Sequence, residues 1–240
     1  MNTVAILQAR TTNARLPSKV MMDLAGEPLI VRQLNRTARA KLLGKIIVAI
    51  PTNPRDDVIW NLCNERGFLC TRGSEDDVLD RYYQTALAYR ADNVVRMCIN
   101  DPFIDPVVID KVVAEFYASR VDYASNFIIK TYPVGMECEV MRFAVLKKAW
   151  QEDTQWREHV TPYIYKNPDK FTLKNVVNGY ASADYSGMRW TVDTPEDLEF
   201  VRKVYDHFGH DRFSWWEVLA LLAHHPEWTE LNKNVVQRTV

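Results

Sequence analysis

The sequence predicts an α/β fold: a mostly parallel central sheet with helices on both faces and a small β-rich elaboration. Three observations carry that prediction. In the first half of the 240 residues, short β-rich runs alternate with helical patterns, as strands joined by crossover helices do. The β-rich runs (TVAIL, KIIVAI, NVVRMCI) are largely continuous in apolar character rather than alternating, which suits strands covered on both faces. Start and stop signals bracket the helical stretches, such as Gly67 just past the end of one and Pro195 at the start of another.

Taken in order, residues 3–9 form the first strand, and residues 26–40 a helix with Leu29, Ile30, Leu34 and Ala38 on one face. A strand at 45–51 precedes a helix at 55–67 with an acidic first turn. The strand 68–72 leads into a helix at 74–90 with Ser74 as its N-cap. A fourth strand, 93–99, is followed by a helix at 106–119. The second half is less regular. Residues 132–141 alternate like a strand, 157–165 read as helical, 171–177 as a strand, and 189–192 as a strand ending at Asp193. The helix after it is capped by Thr194 and buries Leu198, Val201, Val204, Tyr205 and Phe208; residues 214–225 form a short amphipathic helix packed back on the body. Without a repeat or a Pro/Gly-rich linker, the chain reads as one domain over 1–240. It divides into a regular part at 1–125, a less regular part at 126–210, and a C-terminal helix and tail at 211–240.

Composition narrows the function. A net charge of −1, with 47% hydrophobic and 25% charged residues, describes an ordinary soluble globule and argues against a nucleic-acid or membrane partner. The four cysteines have no C-x-x-C spacing and read as buried, reduced thiols; with no long apolar N-terminal run, the expected location is cytoplasmic. His207, His210, His224 and His225 lack metal-ligand spacing, and Trp215 and Trp216 suit a core or an interface. Neither a P-loop nor a G-x-G-x-x-G motif follows the first strand. Instead the loop carries Arg10, Arg15 and Lys19, at the strand edge where α/β proteins bind ligands. Guanidinium groups grip phosphate oxygens two at a time and lysine adds a point charge, so three cations match a triphosphate.

The stretch QARTTNARLPSKVMMDLAGEPLI, residues 8–30, resembles the signature loop of the cytidylyltransferases that activate acidic sugars, the CMP-Kdo and CMP-sialate synthetase superfamily. Within it, the SpsF-like branch is the nearest match. Four further segments follow that branch in order: RGSEDDVLDRY at 72–82, YPVGMECEV at 132–140, REHVTPYIY at 157–165 and RWTVDTPEDLEFV at 189–201. The resemblance implies a Rossmann-like nucleotidyltransferase fold of the GT-A type, a Mg²⁺ requirement, and transfer of CMP from CTP to an acidic acceptor, such as a nonulosonic acid or a phosphonate, with release of pyrophosphate. It also implies a homodimer, with residues 1–125 as the nucleotide-binding half and 126–210 as the acceptor and dimerisation half.

Residue roles follow from the same resemblance. Arg10 and Lys19 would contact the triphosphate and Arg15 would clamp its β and γ phosphates. The backbone at Leu7 and Ala9, with Arg72 and Ser74, would hold cytosine and ribose. Asp193 matches one metal-binding aspartate. The other normally follows the fourth strand in a G-D-x-P segment, where this chain reads RMCINDPFIDP. Register places Asn100 at the aspartate position and Asp101 one residue later. Asp101 could reach the metal after a local backbone change, Asn100 could serve as a weaker ligand to it, or the metal could rest on Asp193 and the phosphates; Asp101 is the favoured choice. Tyr132, Gly135, Glu137, Glu139, Arg157 and His159 lie where the family builds its acceptor pocket, with Arg157 pairing with the acceptor's acid group. Two other readings share these features: a nucleotide-binding module with impaired catalysis, and a glycosyltransferase using a sugar nucleotide in polysaccharide biosynthesis. The latter would want a D-x-D metal motif at a strand end.

Overall fold

A computed structural model describes residues 1–179 and 183–237. The first half follows the predicted alternation: β1 (Thr3–Gln8), a small hairpin of β2 (Asp23–Leu24) and β3 (Glu27–Pro28), α1 (Leu29–Thr37), β4 (Lys45–Pro51), α2 (Asp57–Arg66), β5 (Leu69–Gly73), α3 (Val78–Ala88), β6 (Asn93–Cys98) and α4 (Pro106–Ser119). The second half adds β7 (Tyr123–Ser125), β8 (Glu139–Arg142), α5 (Phe143–Glu152), α6 (Pro162–Tyr165), β9 (Leu173–Asn175), α7 (Pro195–Phe208) and α8 (Trp215–His224). Seven strands form one sheet in the order β5-β4-β1-β6-β8-β7-β9, in which β8 alone runs against its neighbours. The first crossover leads from β1 to β4 on one side, whereas β6 joins β1 on the other. That switch point opens a crevice beyond the carboxyl ends of β1 and β6.

Alternation within the apolar strands divides the core between the two faces. Ala5 and Leu7 of β1 pack with Val48, Val95 and Met97 against α1, α4 and α7, while Val4 and Ile6 pack with Ile47 and Val94 against α3 and α5. The α/β fold with a mostly parallel, doubly covered sheet is therefore as expected. Among the described residues, no helix is long and apolar enough to cross a membrane. All four cysteines are free, Cys63 and Cys138 buried, Cys70 and Cys98 half-buried.

Several local expectations are corrected. Ser74 does not cap α3: Asp77 does, its carboxylate accepting from the Asp80 amide at 2.8 Å. The Ser74 hydroxyl instead accepts from the Asp77 amide at 3.0 Å, setting a turn just before the cap. Ala38 is exposed, because α1 ends at Thr37. Of residues 132–141 only the last three join the sheet; the preceding segment is buried coil, its backbone held at Met136 and Cys138 by the side chain of Asn126 (2.7 and 2.8 Å). Residues 157–161 form turns ahead of the short α6. Residues 189–192 are no strand either, making one isolated bridge, Arg189 to Val134. β7, α5 and the β2–β3 hairpin had no counterpart in the sequence reading.

Candidate active site

Side chains, not glycines, shape the loop that leaves β1. The Asn13 carboxamide oxygen accepts from the amides of Arg15 and Leu16, and the Asp56 carboxylate accepts from the Thr11 amide at 2.6 Å. Ser18, in the left-handed region at φ 56°, donates its amide to Thr11 at 2.8 Å and closes the loop. Leu16 and Val20 anchor it in the core. Lys19, buried between them, donates its ammonium to the Val192 carbonyl at 2.7 Å and to Asp193 Oδ1 at 2.6 Å.

Asp193 thus becomes the hub of a charged cluster. Arg15 reaches its Oδ2 at 3.0 Å and Arg189 at 3.1 Å, while Arg189 also forks onto Asp197 at 2.8 and 2.9 Å. Asp197 closes the capping box of α7 and accepts from the Asp193 amide at 2.9 Å, so helix start and cluster are one unit. Burial works to raise the Asp193 pKa, but Lys19, Arg15 and Arg189 outweigh it and hold the carboxylate below its usual range.

Gly135 fixes the approach of this segment to the sheet. Its φ is +104°, and a Cβ there would sit 2.7 Å from the Trp190 carbonyl carbon and the Thr191 amide nitrogen. Gly135→Ala is therefore expected to cost about 1–3 kcal/mol through backbone strain and displacement of residues 190–193. Chemical denaturation would check this, and an unchanged midpoint would contradict it.

Two neighbouring cavities open at the switch point. The first, about 400 Å³, is lined by Ala9, Arg10, Lys19, Arg81, Asn100 and Asp193, with Glu158 and His159 at its rim. The second, about 420 Å³, holds Asp101, Lys130, Glu137, Phe127 and Tyr165. Arg96, Cys98 and Asn100 belong to both and form the partition. Asn100 Oδ1 is buried without a hydrogen-bond partner, and Asn100 hands its carbonyl to the Val192 amide at 2.7 Å. Burial, then repulsion from Glu137, pushes the Asp101 carboxyl up to about 8. A nucleotide-sized cavity lined by cations beside a second cavity that shares its wall is an arrangement for transfer between two bound molecules.

A family model for cytidylyltransferases matches residues 4–222. This chain belongs to the cytidylyltransferase family. It is 28% identical over 232 residues to the spore coat polysaccharide biosynthesis protein SpsF of Bacillus subtilis, covering 92% of this chain and 94% of that protein. Among solved structures it superposes on a cytidylyltransferase from Leptospira borgpetersenii with a TM-score of 0.91, at 26% identity over the whole of both chains. The fold is also that of a CMP:2-keto-3-deoxy-manno-octonic acid synthetase complexed with CTP (TM-score 0.69, 17% identity, 86% and 99% of the two chains). The SpsF-like resemblance thus holds, and the protein is a CTP-dependent nucleotidyltransferase that transfers CMP.

Within this cytidylyltransferase, Arg10, Lys19, Ala9, Asn100 and Asp193 come together in the first cavity, and His159, assigned to the acceptor side by the resemblance, lines that same cavity. Arg15 meets them through Asp193. Glu137 and Asp101 lie together in the second cavity, which Asn100 also lines, whereas of the adjacent pair Asn100 and Asp101 only Asn100 lines the first. Leu7 stays inside β1, between Val48 and Met97. Other residues are engaged elsewhere. Arg72 pairs with Asp57 at 2.6 Å and stacks over Trp60; Ser74 serves the α3 turn. Arg157 forks onto Asp77 at 2.7 Å and donates to the Trp150 and Asp153 carbonyls, so it pins the 153–157 turn to α3. Tyr132 packs in the core against Trp215, and Glu139 is buried between Arg96 (2.5 Å) and Tyr123 (2.6 Å). Sequence reasoning passed over Arg81, Arg96 and Lys130. For Arg81 a signal existed: it shares the apolar helical face of Val78, Tyr82 and Thr85, an unusual place for a cation.

Proposed function

We propose that this cytidylyltransferase, assisted by Mg²⁺, transfers CMP from CTP to an acidic acceptor, an acidic sugar such as a nonulosonic acid or a phosphonate, with release of pyrophosphate. One observation carries the reading: Arg10, Lys19 and, through Asp193, Arg15 converge on a single cavity at the switch point, beside a second cavity that shares its wall. A triphosphate in the first cavity would lie along these cations, which neutralise charge as it builds on the pyrophosphate leaving group. Lys19 is already held in place by Val192 and Asp193, so little reorganisation is needed when the charge develops.

The donor set suits Mg²⁺. Among the described residues no three His, Cys, Asp or Glu side chains cluster as a protein cage. Mg²⁺, however, is ordinarily held by one or two side-chain oxygens together with substrate phosphates. Asp193 and the partnerless Asn100 Oδ1 would hold it, with Asp101 available from beyond the partition. Bound there, the ion would neutralise phosphate charge and orient the α-phosphate. On the acceptor side, Lys130 brings positive charge to the second cavity, the part first expected of Arg157.

The direct test incubates the protein with CTP, Mg²⁺ and a panel of carboxylated and phosphonylated acceptors, and measures pyrophosphate. Release is expected with CTP and one class of acceptor, to vanish with EDTA, and to be slight with ATP. Silence across the whole panel would overturn the proposal.

A further inference from the structure

After α8 the chain turns back and lays residues 231–237 against the charged cluster, beside Arg15, Arg189 and Thr194. This segment lies beyond the stretch matched by the family model, which ends at residue 222. Within it only Asn232 is buried, and Asn232 is polar. Its Nδ2 donates to the Arg189 carbonyl at 2.9 Å and to Asp197 Oδ1 at 3.0 Å. Further along, Gln237 Oε1 accepts from Arg189 Nη1, and Gln237 also lines the second cavity. Carboxylates take the other guanidinium nitrogens: Nε meets Asp197, and Nη2 meets both Asp197 and Asp193. The segment therefore completes the partners of Arg189 and of the fully buried Asp197.

An anchor for this segment needs only apolar area, which a leucine at 232 would supply without desolvating an amide. What the amide adds is direction. With every nitrogen of Arg189 and both oxygens of Asp197 engaged, the guanidinium cannot swing off Asp193 Oδ2 without breaking several bonds at once. We infer that residues 231–237 form a strap that positions Asp193 for Mg²⁺, with Asn232 and Gln237 as positioning residues acting through Asp197 and Arg189. The inference rests on the reading that Asp193 and Mg²⁺ serve bound CTP. Lys19 and Arg15 hold the same carboxylate from the loop after β1, so Arg189 is the partner of Asp193 that the strap governs. Groups that hold a metal ligand from behind fix its orientation, and their loss typically lowers metal affinity roughly 10- to 100-fold.

Calorimetric titration of Mg²⁺ into the CTP-bound protein, with CTP binding measured separately in EDTA, tests this without an acceptor or turnover. The half-saturating Mg²⁺ concentration should rise roughly 10-fold in Asn232→Ala and about threefold in Gln237→Ala, while CTP affinity in EDTA stays within about twofold. Gln237→Glu, which still accepts from Arg189, should bring Mg²⁺ binding back to within about twofold of wild type. In an Asp193→Asn background, Asn232→Ala should add no further loss, because it acts through that carboxylate. Thermal melts establish folding, and if Asn232→Ala does not fold, the two Gln237 variants decide. Unchanged Mg²⁺ binding in folded variants would overturn the inference. So would an equal loss of CTP binding in EDTA, the mark of a purely structural role, or a further loss in the Asp193→Asn background. A wild-type CTP complex that takes up no Mg²⁺ would overturn both the inference and the metal part of the functional reading. Failure of the transfer reading alone shows separately, as no pyrophosphate from a protein whose Mg²⁺ binding responds to the strap as expected.

Discussion

Turnover should fall roughly 100- to 1000-fold when Lys19 is replaced by alanine, the loss typical of removing one preorganised donor from a site of developing negative charge. Lys19 is buried and held by two oxygens, one of them on Asp193, so its charge stands in a poorly solvated position where it acts strongly. Its removal should not unfold the protein. Asp193 keeps Arg15 at 3.0 Å and Arg189 at 3.1 Å, and the Asp193 amide remains tied to Asp197. The measurements are kcat from pyrophosphate release and the unfolding midpoint of the same preparation. A kcat within tenfold of wild type in a folded variant would remove Lys19 from the transition state. Collapse of both quantities together would make it a structural residue instead.

How much of this was legible in the sequence depends on the distance over which each residue finds its partner. The strands of the first half and α4 fall where apolar runs and caps place them, because those signals are local. The basic loop was legible for the same reason: Arg10, Arg15 and Lys19 lie within ten residues, and the partner that gathers two of them, Asp193, starts a helix with an unmistakable cap. Arg157 and Arg72 misled because their charge is spent on Asp77 and Asp57, pairings that no spacing rule reveals. The segment 132–138 misled differently. It alternates like a strand, but its backbone is satisfied by the Asn126 side chain, and burial alone produces the apolar pattern. The departure at Asn100 and Asp101 was visible as a shift of one residue, and the structure shows its consequence: Asn100 lines both cavities, whereas Asp101 lines only the second.

Arg36→Ala is expected to destabilise the fold by about 3–5 kcal/mol, the largest stability loss predicted for this chain, because it strips hydrogen bonds from several buried carbonyls at once. The Arg36 side chain is fully buried. Nε donates to the Ile104 carbonyl at 2.8 Å, Nη2 to Phe103 at 3.1 Å, and Nη1 to Asp211 and Phe213 at 2.7 and 2.9 Å. The guanidinium also lies over the Phe213 ring, 4.4 Å from its centre. One side chain on α1 therefore ties together the segment just after Asn100 and Asp101 and the segment that leads into α8. Arg36→Met separates the possible causes, since it restores most of the packing volume and none of the bonds. If the bonds dominate, methionine should recover less than half of the loss, and the amides of residues 101–105 should exchange with solvent faster in both variants, with denaturation and hydrogen exchange as the measurements. A methionine variant as stable as the wild type would show that packing suffices and that those carbonyls find other donors. The outcome bears on catalysis as well as on stability, because the Phe103 and Ile104 carbonyls belong to the stretch that carries the partition between the two cavities.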